Sequence, residues 1–116
     1  MKYEDLEVWQ RSTQLSVALY RGLCDLKDWG FRDQITRSGL SIPSNIAEGY
    51  ERDSVPEIIR FLKIAKGSAG ELATQVYIGA QVGYINEQNG SAWSAEAKEI
   101  SRMLGGLIKY WKGQLP

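Results

Sequence analysis

Apolar residues recur along this chain at helical rather than strand spacing. Between Asp5 and Leu26, with successive residues about 100° apart, Leu15, Leu19, Leu23 and Leu26 share one arc, widened by Trp9 and Tyr20. Arg11, Gln14, Arg21 and Asp25 lie mainly opposite, and Asp5 is placed to cap this first helix. From Phe31 to Tyr50, a narrow stripe of Phe31, Ile35, Ile42 and Ile46 keeps its phase across Pro43. That continuity predicts one helix kinked near Pro43; a break near Ser41, with Pro43 opening a new helix, is the alternative.

The third segment has the clearest start. Ser54-Val55-Pro56-Glu57 combines a capping serine, an early proline and a glutamate three residues on. Its core stripe, Ile58, Phe61, Leu62, Ala65, Ala69, Leu72, Ala73, Val76 and Ala80, runs to about Gly83. Gly67, Gly70, Gly79 and Gly83 weaken a helix, which predicts compensation by close approach of a neighbouring backbone. A fourth helix is expected from Ser91 or Ser94 to Gly113, with Trp93, Ala97, Ile100, Leu104, Leu107 and Trp111 as its apolar face. Turn signals fall at Asp28-Trp29-Gly30, Glu51-Arg52-Asp53-Ser54 and Asn86-Glu87-Gln88-Asn89-Gly90. The expectation is an all-α, up-down-up-down four-helix bundle, one domain over residues 1–116.

Composition narrows what such a bundle does. With no histidine, the commonest general base and metal ligand is missing. Cys24, the single cysteine, sits in the apolar pattern with no base to activate it and reads as a small core or boundary residue. Glu48 and Glu71 lack the Glu-x-x-His partners of a carboxylate metal site, and Gly67-Ser68-Ala69-Gly70 lacks the lysine of a phosphate loop. The expectation is a protein that is not an enzyme and takes no cofactor. No secretory signal and no run of about 20 apolar residues is present, which points to the cytoplasm rather than a membrane.

The formal charge is zero, from 14 basic and 14 acidic side chains, but its distribution is uneven. Residues 91–116 hold four basic and two acidic groups, a net of +2. Lys98, Arg102, Lys109 and Lys112 fall within an arc of roughly 80°, interrupted by Gly105. This ridge is the minimal footprint for phosphate contacts, although a solvated helix face has the same spacing. On the second helix Gln34, Arg37, Ser41, Asn45, Glu48 and Arg52 form a polar stripe. It faces either solvent or a seam in which Glu71 and Gln75 of the third helix meet Arg37 and Asn45. A second apolar set on the third helix, Ile64, Ile78 and Val82, with Met103 and Tyr110 on the fourth, marks a candidate interface between copies of the chain.

Three strings resemble a known family: Asp5-Leu6-Glu7-Val8-Trp9-Gln10, Ser41-Ile42-Pro43-Ser44-Asn45-Ile46-Ala47-Glu48-Gly49, and Phe61-Leu62-Lys63-Ile64-Ala65-Lys66-Gly67-Ser68 followed by Glu71-Leu72 and Thr74-Gln75. They look like the four-helix-bundle proteins encoded in 23S rRNA intervening sequences. That resemblance implies a continuous second helix and a ring-shaped homopentamer. The chain is also similar to accessory variability proteins of diversity-generating retroelements, which implies RNA or DNA and a reverse transcriptase as partners. No catalytic residue carries over. Thr36-Arg37 stands where many relatives have paired arginines, and the chain is neutral where the retroelement relatives are basic. Both departures weigh against nucleic acid and toward the rival reading, a protein-interaction module.

Overall fold

The computed structural model describes residues 2–116. A single 3-10 turn, Tyr3–Asp5, precedes four helices: α1 (Glu7–Gly22), α2 (Trp29–Glu51), α3 (Val55–Gln81) and α4 (Glu87–Lys112). No strand occurs among the described residues. The helices form an elongated bundle of 49 × 21 × 20 Å. α3 is central, packing most extensively on α4 and α2, while α1 packs on α2 and closes more thinly on α4.

The predicted stripes build the core. Leu15, Leu19, Leu23, Ile35, Ile42, Ile46, Leu62, Ala65, Ala69, Leu72, Ala97, Ile100 and Leu104 are all buried. Tyr20 is exposed, however, beside Val17 and Leu40 in a shallow α1–α2 groove. Leu6, Val8 and Ile108 join the core instead.

Local chemistry sets the boundaries. Asp5 belongs to the 3-10 turn, and α1 begins at Glu7 with no side-chain cap. α2 is capped by Asp28, whose carboxylate accepts from Phe31 N at 3.1 Å. It then runs unbroken through Pro43, as the constant phase of its isoleucines predicts. Ser54 accepts from Glu57 N at 3.3 Å and opens α3. α4 starts earlier than expected, because Asn86 accepts from Asn89 N at 2.7 Å and makes the supposed loop the first helical turn.

The glycines of α3 divide into two kinds. A Cβ at Gly79 would stand 2.6 Å from Ile85 Cδ1 and 2.9 Å from Phe31 Cζ, so side chains rather than the expected neighbouring backbone crowd that position. At Gly67 and Gly70 nothing lies within 4 Å, and the expected neighbour is absent. Gly83 ends the helix with φ +84°, a left-handed conformation that glycine adopts without strain.

Candidate functional site

Three features stand out from this frame. Between α2 and α3 lies an open cleft of about 320 Å3, lined by Gln34, Arg37, Ser38, Ser41, Glu71 and Gln75. Serines make its cross-helix bonds. Ser38 Oγ lies 2.9 Å from Glu71 Oε1, and Ser41 Oγ lies 2.9 Å from Ser68 Oγ. Asn45 Nδ2 turns back to donate to Ser41 O and Oγ on its own helix, each at 2.8 Å. Part of the α2 polar stripe therefore lines an α2–α3 cleft that is open to solvent, with pairings other than those of the seam alternative. Arg37 and Gln75 line it, but Glu71 meets Ser38, and Glu48 is paired outside it with Arg52 at 3.1 Å. Ser38 is buried in the cleft, whereas Gln34, Arg37 and Glu71 are exposed at its rim. Gln75 Oε1 is buried without a hydrogen-bond partner.

The same face of α3 carries the candidate interface. Ile64, Ile78 and Val82 are 41%, 47% and 57% exposed, and Tyr77 beside them 65%. In sequence, Ile64, Ser68, Glu71, Gln75, Ile78 and Val82 follow heptad spacing, so this face is apolar at both ends and polar at the cleft. Met103 and Tyr110 belong elsewhere. Met103 is half-buried against the core, and Tyr110 packs edge-on against Trp111 near the end of α4.

All four residues of the α4 ridge are exposed. Arg102 bonds Glu99 through two nitrogens, which holds the Glu99 carboxyl below its ordinary range and raises the guanidinium. Its charge is thus partly spent within the helix. The gap at Gly105 is filled from outside: Lys66 Cε of α3 lies 3.5 Å from where a Gly105 Cβ would stand. Lys66 thereby adds a cation to the row, a contribution invisible along either helix alone. The only sequence signal for it was the small residue at the ridge centre.

Cys24 is exposed and lies just past α1, not in the core. Among the described residues, no group of three or more His, Cys, Asp or Glu is placed to hold a metal ion. No helix is long and apolar enough to cross a membrane.

The chain is thus a small all-α helical bundle that carries an open polar cleft and a basic edge. Residues 4–106 match the 23S rRNA-intervening sequence protein family, and the chain belongs to that family. It is also similar to a Bacteroides thetaiotaomicron protein of unknown function from the S23 ribosomal protein family, whose crystal structure was determined at 1.70 Å. The two share 28% identity with a TM-score of 0.82, over 88% of this chain and 98% of the other. No curated protein matches significantly.

Proposed function

We propose that the chain is a non-enzymatic subunit of a cytoplasmic homo-oligomeric scaffold, ring-shaped and pentameric as the family resemblance implies, that carries RNA or DNA along its α4 edge. The observation that carries the binding role is the completed row of cations. Lys98, Arg102, Lys109 and Lys112 share one face, and Lys66 closes the gap at Gly105. Repetition around a ring multiplies a weak patch into useful avidity for a long polyanion. The assembly reading draws on the α3 face, where exposed isoleucines flank a cleft holding an unpartnered buried carbonyl. Isolated subunits rarely leave both kinds of surface uncovered.

Light scattering should give a mass about five times the 13.0 kDa of one chain, and Ile78→Glu should reduce it. Fluorescence anisotropy with labelled RNA and DNA should show affinity falling linearly with salt on a log–log plot. Replacing Lys66, Lys98, Lys109 and Lys112 by Gln should flatten that slope by roughly three units per subunit footprint. A monomeric mass sinks the ring, and no binding at low salt sinks the polyanion role.

The internal pairing of Arg102 with Glu99 favours a second reading, a protein-interaction module that binds no nucleic acid. A nuclease-insensitive pull-down dominated by one protein would support it.

A further inference from the structure

A second cavity lies at one end of the bundle, apart from the cleft between α2 and α3. It is open to solvent on one side and holds about 490 Å3 where the end of α2, the start of α3 and the end of α4 converge. Three aromatic residues, Tyr50, Tyr110 and Trp111, line it, with Ile58 and Leu107 adding aliphatic surface. Each tyrosine ring stands nearly perpendicular to the Trp111 indole. Tyr50 and Trp111 have centroids 6.0 Å apart at 77°, and Tyr110 and Trp111 are 5.1 Å apart at 81°. Trp111 Nε1 donates to Tyr50 Oη at 2.9 Å, which fixes the orientation of the indole.

One charged residue reaches this apolar space: Asp53, in the turn between α2 and α3. Its backbone is left-handed, with φ 57°. Among the described residues its carboxylate has no ion pair or side-chain hydrogen bond. The nearby cations are otherwise engaged or outside. Arg52 pairs with Glu48 and Glu57 and lies over the Phe61 ring, and neither Lys109 nor Lys112 lines the cavity. The C-terminal ends of α2 and α4 meet the N-terminal ends of α1 and α3 here, so the helix dipoles offset one another and Asp53 supplies the local negative charge.

Orthogonal π faces, aliphatic walls and one unpaired carboxylate suit a bulky, weakly hydrated cation. An ordinary ammonium is too strongly hydrated to enter such walls, whereas methyl groups carry the positive charge into contact with ring faces. The volume falls within the range of small-molecule sites. We propose that the Tyr50–Tyr110–Trp111–Asp53 cavity is a binding site for a quaternary or N-methylated ammonium group.

The test follows the four indole N–H resonances of the full-length protein by NMR during titration with choline, with N-acetyl-trimethyllysine amide, and with 3,3-dimethyl-1-butanol, the uncharged carbon analogue of choline. The expected result is saturable movement of the Trp111 resonance, assigned with Trp111→Phe, by one or both cations, with the neutral analogue roughly tenfold weaker. Tighter binding of choline marks a free metabolite; tighter binding of trimethyllysine marks a modified protein tail. Asp53→Asn should weaken cation binding roughly fivefold while leaving the neutral analogue unchanged. Asparagine tolerates the left-handed turn, so this variant retains the fold. Equal affinity for choline and its neutral analogue overturns the proposal, as does the absence of any shift from either cation in the folded protein.

Discussion

Two single residues concentrate the polar chemistry of the bundle. Gln75 Oε1 is buried and unpaired, and a missing hydrogen bond of that kind costs roughly 1–3 kcal/mol. Gln75→Leu should therefore raise the stability of the monomeric chain by about 1 kcal/mol in urea unfolding, and a loss would show that the amide has a partner. Asp28 serves two elements at once. Its carboxylate accepts from Phe31 N and, at 2.8 Å, from the Tyr84 hydroxyl beyond α3. These bonds hold the Asp28 carboxyl below its ordinary range, chiefly through the Phe31 N–H, and push the Tyr84 phenol up. A carboxyl that is more acidic in the folded chain stabilises it fully above the ordinary carboxylate value. That contribution fades as pH falls below about 4. Asp28→Asn should flatten the acid limb of a Tm-against-pH profile and leave its neutral part nearly level. An unchanged acid limb would show that the bonds to Asp28 do not matter to folding.

At the scale of helices, the two kinds of glycine in α3 give a direct contrast. Gly67→Ala should stabilise α3 by roughly 0.5–1 kcal/mol, because nothing lies within 4 Å to resist a methyl group. Gly79→Ala should destabilise the fold, since its Cβ would collide with Ile85 and Phe31. If Gly67→Ala destabilises instead, another chain covers that face. Ser54→Ala should cost about 1 kcal/mol through the lost cap of α3. The helices themselves were legible because their apolar stripes are one-sided and long; Ile35, Ile42 and Ile46 kept phase through Pro43 and all are buried. The start of α4 was not, because asparagine and glycine mark turns and helix starts alike. Tyr20 misled because an angular position on a helix cannot say how far a neighbouring helix reaches. The contribution of Lys66 and the convergence of Tyr50 and Asp53 with Tyr110 and Trp111 depend on which helices meet, which no single periodicity records.

Over the whole molecule, the candidate sites are dispersed across surfaces: a cleft and apolar face on α3, a cationic edge on α4, and an aromatic cavity at one end. Zero net charge concealed this, because the basic surplus of residues 91–116 is offset by acidic groups earlier in the chain. The thin closure of α1 on α4 has a further consequence. Its one long-range ion pair is a fork in which Arg11 donates to both oxygens of Glu96, at 2.9 and 2.6 Å, on groups about one third exposed. α1 is thus bound chiefly on the α2 side, while α2, α3 and α4 share the broader contacts. The bundle should open like a hinged panel before it melts. Amide hydrogens of α1 should exchange by partial opening, at rates above those of Leu62, Leu72 and Leu104. Arg11→Met should speed exchange in α1 selectively, and uniform exchange across all four helices would show that the panel does not open on its own.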